Sequence, residues 1–160
     1  MAISVGDKIP DVQLTMLTDD GLTTVQSTEV LGSGKVVLVG VPGAFTPTCS
    51  DHHLPGFVLR AEELTAKGVD TIACVATNDA FVMGAWGKVS GADGKVVMLA
   101  DGNGEFTTEL GLLFDLTSRG FGVRSKRYAA ILEDGVVTHI GVEEGPAVDA
   151  SSVESVLAKL

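Results

Sequence analysis

Two of the 160 residues are cysteines, and one of them, Cys49, stands where a thiol can do chemistry. The chain reads Val36-Val-Leu-Val-Gly-Val-Pro42-Gly-Ala-Phe-Thr46-Pro-Thr-Cys49, an apolar run ending in a turn that delivers the sulfur to the start of a predicted helix. A helix N-terminus carries unpaired N–H groups and a positive partial charge, and both favour thiolate over thiol. A thiolate held there is a nucleophile at neutral pH, whereas a free thiol, with a pKa of about 8.5, is mostly protonated. The competing reading is a buried, inert cysteine, because unpaired cysteine is among the most buried residue types. Position alone leaves both open.

The neighbours add a pattern. Pro42 and Thr46 precede Cys49 in the spacing P-x-x-x-T-x-x-C. This resembles the signature of peroxiredoxins, thiol peroxidases built on a thioredoxin fold. The longer string Pro42-Gly-Ala-Phe-Thr-Pro-Thr-Cys-Ser-Asp-His-His-Leu-Pro-Gly-Phe57 is similar to the type II, peroxiredoxin-5-like branch of the redoxin superfamily. The resemblance runs from Val5 to Leu160 and is strongest over Gly40 to Trp86 and Arg124 to Gly135.

Breaking an O–O bond needs an ionised sulfur, an oxygen in line with the bond, and donors aimed at the charge that grows on the leaving oxygen. The resemblance implies Cys49 as nucleophile, with Thr46, Arg127 and Pro42 as its catalytic companions. The Thr46 hydroxyl, one helical turn back, is placed to reach both the sulfur and a bound peroxide, and the Cys49 N–H is a second donor. Pro42 lacks an N–H and has a fixed φ, so it shapes the loop and shields the sulfur from water. Thr46 reads also as a helix N-cap, and Pro42 as a simple turn-former. Arginine suits the remaining cation, since it stays charged and offers a planar fork of donors. Arg124, Lys126 and Arg127 are the nearby candidates, and the family pattern of an arginine directly before an aromatic residue selects Arg127-Tyr128. Arg124 and Lys126 are then solvated, or help hold the loop. The expected site is a thiolate at the mouth of a shallow pocket, faced by a guanidinium from the far end of the chain.

His53 matches a family histidine four residues after the cysteine, implied to support the site by hydrogen bonding rather than as general base; His52 is expected to face solvent. Cys49, His52 and His53, with Asp51, invite a metal reading, but one short segment is a poor source of tetrahedral ligands. No metal and no cofactor is expected. A Cys-x-x-Cys motif is absent, which argues against a thiol-disulfide reductase. Gly32-Ser-Gly-Lys35 lacks the spacing of a phosphate loop.

Attack on peroxide leaves a sulfenic acid that another thiol must resolve. The internal candidate is Cys74, in the apolar segment Ile72-Ala-Cys74-Val75, where a buried structural thiol is the favoured reading. Some animal members resolve through a cysteine near the C-terminus, and Glu144 to Ser151 contains none. The resemblance therefore implies an external reductant, glutathione with glutaredoxin or else thioredoxin, and a homodimer. Phe45, Phe81 and Trp86 are the aromatics near that contact, with core packing as the alternative for Trp86. A peroxide sensor that reacts once at the same cysteine is the rival to an enzyme that turns over.

These residues need elements to position them. Val36–Val41, Val69–Thr77 and Val96–Ala100 read as buried strands. Ser50 to Lys67 carries apolar residues at helical spacing, with a kink or a poorly formed first turn expected at Pro55 and a stop at Gly68. Asp79 is placed to cap a helix through Trp86, and Glu105–Leu113 reads as helix. Glu133-Asp134-Gly135 joins Tyr128–Leu132 and Val136–Val142 as a hairpin, and Ser151-Ser152-Val153-Glu154 resembles a capping box before a last helix reaching Leu160. Strands alternating with helices imply an α/β layered fold. The expectation is one thioredoxin-like domain over residues 1–160: a central mixed β-sheet flanked by helices, with an N-terminal extension and a C-terminal hairpin plus helix.

The formal charge of −10 disfavours nucleic acid and anionic membrane as partners. No secretory signal and no membrane-length apolar run is present, and two cysteines make no disulfide framework. A reducing, cytoplasmic setting is expected, unless a transit peptide has been removed.

Overall fold

The computed structural model describes residues 1–160. In chain order the strands and helices are β1 (Gln13–Thr18), β2 (Gly21–Gln26), α1 (Ser27–Leu31), β3 (Lys35–Gly40), α2 (Leu54–Leu59), α3 (Ala61–Ala66), β4 (Thr71–Ala76), α4 (Ala80–Val89), β5 (Val97–Ala100), α5 (Glu105–Leu110), β6 (Leu113–Asp115), β7 (Val123–Ser125), β8 (Tyr128–Glu133), β9 (Val136–Val142) and α6 (Val153–Leu157). Seven strands form one mixed sheet in the order β2-β1-β5-β4-β3-β8-β9. β3, β4 and β5 are parallel, joined by helical crossovers, and β8 returns antiparallel to β3. This is the thioredoxin-like arrangement anticipated above. The N-terminal extension is itself a hairpin, β1–β2, laid antiparallel on β5.

The apolar runs are strands buried on both faces, as their lack of polar alternation implies. Side chains alternate between two cores: Val37 and Val39 enter one with Cys74, Ala129, Phe57 and Trp86, while Val36 and Leu38 enter the other with Val75, Tyr128, Phe106 and Leu31. That period of two matters at the start of β8. It turns Tyr128 to one face of the sheet and sets Arg127 on the face of Ala129, where Cys49 lies. Gly40 is required opposite Tyr128, because a Cβ there would stand 2.0 Å from the ring.

The helix expected over Ser50–Lys67 opens on an irregular turn before Pro55, one of the two readings of that proline, and shows no kink at Pro55 itself. Cys49–His53 is a widened π turn, with the Leu54 N–H donating to the Cys49 carbonyl. Pro55 sits in the first turn of α2, where its missing N–H costs little. The break comes instead at Arg60 (φ −108°), between α2 and α3, and Gly68 ends the segment at φ +93° as anticipated. Asp79 caps α4, its carboxylate accepting from the Val82 N–H at 2.9 Å. The hairpin turn is Asp134-Gly135, both at positive φ, as a two-residue loop between twisted strands requires.

Two helix ends differ from expectation. α5 stops at Leu110 because Gly111 adopts φ +72°, and the chain beyond it forms β6, which pairs with β7 in a small separate sheet. α6 is capped by Ser152, which accepts from Ser155 N–H, rather than by Ser151, and its α-helical turns end at Leu157. Ser151 is engaged elsewhere.

Candidate active site

Residues from four parts of the chain converge beneath the C-terminal end of β3. The loop Val41–Thr46 leaves that strand, and the Ala44 N–H is held by Asn78 Oδ1 at 2.9 Å. Arg124 of β7 covers the same loop: a Cβ on Gly43 would meet its Nη1 at 3.2 Å, while its Nε donates to the Phe121 carbonyl. Phe45 is forced to φ +66°, with its ring 52% exposed. The loop feeds a short helical turn and then the π turn that carries Cys49.

The guanidinium of Arg127 reaches the sulfur. Its Nη2 donates to Cys49 Sγ at 3.3 Å, and its Nη1 donates to His53 Nδ1 at 3.1 Å. His53 Nε2 donates to the Ser151 carbonyl at 2.9 Å. A carbonyl can only accept and a guanidinium can only donate, so the ring is the neutral tautomer with its proton on Nε2. Burial above all, aided by the Arg127 charge and opposed by the Ser151 bond and the Glu143 charge, brings the imidazole pKa down to about 4. With both nitrogens engaged and the ring neutral, His53 is built to orient Arg127 and holds no lone pair for a thiol proton. Glu143 in turn fixes the Ser151 segment. Its carboxylate accepts from Ser151 Oγ at 2.6 Å, Ser151 N–H at 2.8 Å and Asp149 N–H at 2.7 Å. Burial raises the Glu143 pKa, but these hydrogen bonds outweigh it and hold the group below the usual carboxylate range.

The sulfur lies deeper than the sequence suggested. Cys49 is 0% exposed, beneath rather than at the mouth of a cavity of about 420 Å³. Pro42, Thr46 and Arg127 line that cavity, with Phe114 and Phe121 as an apolar wall and Lys126 and Arg119 among its cations. The expectation failed because Arg127, His53 and the core residues of the Cys49 side close over the thiol together, which local spacing cannot reveal. The Thr46 hydroxyl donates to the Gly43 carbonyl at 2.7 Å and makes no bond to the sulfur. Its proton is thus committed, and its remaining lone pair faces a ligand only as an acceptor. The Cys49 N–H donates to no backbone carbonyl.

Other candidates fall apart from the site. His52 is exposed, while His53 is turned inward to Arg127 and Ser151, so the two imidazoles do not converge. Cys74 is fully buried in the central strand β4, laddered to Val39 and Met98, and burial pushes its thiol pKa up. Trp86 is fully buried and donates to Ser50 Oγ at 3.0 Å, so it packs inside the protomer and offers no contact surface. Three contributors escaped the sequence reading: Asn78, Glu143 and Ser151. They act through backbone groups, which leave no spacing pattern. The only trace was an acidic pair, Glu143-Glu144, directly after an apolar strand.

A family model described as Redoxin matches residues 4–157. Peroxiredoxin-2E, chloroplastic, of Arabidopsis thaliana is 50% identical over 163 residues, covering 99% of this chain and 70% of its own. Peroxiredoxin-2B of the same plant is 48% identical over 159 residues, covering 99% and 98%. The crystal structure of reduced Prx3 from Vibrio vulnificus in complex with H2O2 aligns with a TM-score of 0.93 at 47% identity, covering 98% of each chain.

Proposed function

This chain belongs to the Redoxin family as a type II peroxiredoxin, a thiol peroxidase whose peroxidatic Cys49 lies beside Arg127, and from that premise we propose how its residues divide the work. The Cys49 thiolate attacks one peroxide oxygen. An S–O bond forms as the O–O bond breaks, the sulfur is oxidised by two electrons to sulfenic acid, and the leaving oxygen departs as water or an alcohol after taking a proton. Arg127 holds the sulfur's charge before attack and shares it with the leaving oxygen during attack, where a fixed donor is worth most. The unpaired Cys49 N–H is the second donor, Thr46 accepts the peroxide O–H, and Pro42 closes the loop side of the cavity.

The observation that carries this reading is the 3.3 Å contact from Arg127 to a sulfur made on a separate element. Resolution falls to an outside thiol. That thiol attacks the sulfenic sulfur, water leaves, and a second thiol releases the mixed disulfide. Cys74 is poorly placed for this step, since forming a bridge would tear the central ladder between β3 and β5. Glutathione with glutaredoxin is the reductant we favour over thioredoxin, and a homodimer meeting at the exposed Phe45 and Phe81 is the assembly we favour. The test is turnover of hydrogen peroxide with a thiol donor, followed by intact mass after one equivalent of peroxide. Cys49→Ser is expected to abolish turnover while staying folded. Glutathione is expected to add its mass to the wild-type chain. Normal turnover in Cys49→Ser removes the mechanism, and a two-proton mass loss without adduct returns the resolving role to Cys74.

A further inference from the structure

The peroxidase reading rests on where the Arg127 guanidinium points, and we propose that Glu143 is the positioning residue that sets this aim through the Ser151 carbonyl and His53. The contacts form a closed circuit. The Glu143 N–H donates to the Arg127 carbonyl at 2.9 Å, one rung beyond the β8–β9 ladder. Its carboxylate gathers the Asp149 N–H and both donors of Ser151. The Ser151 carbonyl takes the His53 Nε2 proton, His53 Nδ1 takes an Arg127 N–H, and the other arm of the guanidinium meets Cys49 Sγ. The path leaves Arg127 at its backbone and returns at its side chain.

The circuit has little slack. Ser151 is fully buried. Gly141, paired with Ala129 in the sheet, lets residues 149–151 lie against β9, since a Cβ there would stand 2.2 Å from the Ala150 carbonyl oxygen. The chemistry at the imidazole is all-or-none. While the Ser151 carbonyl stays in place, the ring proton must sit on Nε2, and Nδ1 is left to accept from Arg127. If the carbonyl withdraws, the proton is free to move to Nδ1, where it would set donor against donor and turn the guanidinium away. All three donors meet one oxygen, Oε2, and glutamine would replace that charged oxygen with a neutral carbonyl, which has two lone pairs for three donors.

The experiment compares wild type, Glu143→Gln, His53→Ala and the double variant, all as full chains. Single-turnover reaction with hydrogen peroxide is followed across pH by the emission of Trp86, the one tryptophan, whose indole N–H is bonded to the residue next to Cys49. Glu143→Gln is expected to slow the reaction about 10-fold, the range seen when the partner that orients a functional histidine is lost, and to move the pH–rate profile upward. In the His53→Ala background the same substitution should change the rate by less than about twofold, because residues in one network are not additive. Ring nitrogen chemical shifts of His53 should show Nε2–H alone in wild type and a mixed tautomer in Glu143→Gln. That readout does not depend on peroxide, so a wild type that ignored peroxide, with the tautomer change still present in Glu143→Gln, would sink the peroxidase reading and leave the positioning role standing. A lowered melting temperature with wild-type rate, profile and tautomer, or full multiplication of the two effects, overturns the proposal. Should Glu143→Gln fail to fold, Ser151→Ala decides: it removes one of the three donors and keeps the carbonyl, so a roughly two- to threefold slowing is expected, and a wild-type rate overturns it.

Discussion

At the scale of single residues, Arg127 serves two neighbours with one planar fork, at 3.1 Å to His53 and 3.3 Å to Cys49. Lysine keeps the charge but offers one compact ammonium with no fixed fork. Arg127→Lys should therefore lose about 100-fold in the rate of sulfenic acid formation, the scale of removing one aimed donor, as measured by stopped flow. His53 makes a second prediction. Its folded-state pKa of about 4 lies below the ordinary 6.5, so between those values the folded protein binds fewer protons than the unfolded chain. Stability then rises with pH through that window, is complete above about pH 6.5, and falls by about 3 kcal/mol on acidification to pH 4. Denaturant melts at a series of pH values should show this slope, and His53→Ala should flatten it. The motif Pro42, Thr46, Cys49 was legible because it is contiguous, and Arg127 because an aromatic follows it. The depth of the sulfur was not legible, because it depends on Arg127, at the entry to β8, and on His53 and core residues distant in sequence.

At the scale of elements, the buried strands declared themselves as unbroken apolar runs, and the Asp134-Gly135 turn by its residue types. The half-buried β1–β2 hairpin and the three-residue strands β6 and β7 did not, because short, polar or half-exposed strands carry no distinct period. The helix after Cys49 was seen in outline, with its irregular first turn legible from Pro55, while the interruption at Arg60 carried no sequence signal. Tyr128 supplies a test of how β8 is packed. Its ring lies on Gly40, but its buried hydroxyl has no hydrogen-bond partner, and burial pushes its pKa up. An unpaired buried hydroxyl is a cost to the fold, so Tyr128→Phe should raise stability by about 1 kcal/mol. A loss in a thermal melt would show that the hydroxyl is doing something the packing does not reveal. Gly40→Ala should do the reverse, because its methyl group has no room against the same ring, at a cost of roughly 3 kcal/mol.

At the scale of the whole molecule, the sequence reading of an acidic α/β protein describes the architecture well, while assembly stayed out of reach because a docking face has no composition of its own. Phe45 and Phe81 are 52% and 61% exposed. Holding Phe45 at φ +66° costs on the order of 1 kcal/mol, in a loop that Asn78 ties down through the neighbouring Ala44 N–H. The proposed dimer predicts that wild type sediments as a dimer at micromolar concentration and that Phe45→Ala with Phe81→Ala sediments as a monomer. An unchanged sedimentation coefficient would place any interface elsewhere. The burial of the sulfur sets one further limit on how the molecule lives. On the proposed cycle, an outside thiol can reach the sulfur, which is fully buried, only if the wide turn around Cys49 opens. The sturdiness of those five residues therefore acts as a timer. A turn that loosens quickly hands the oxidised sulfur over for repair, and one that holds firm leaves it waiting for a second oxidant, so rigidity in this one place is paid back as irreversible damage.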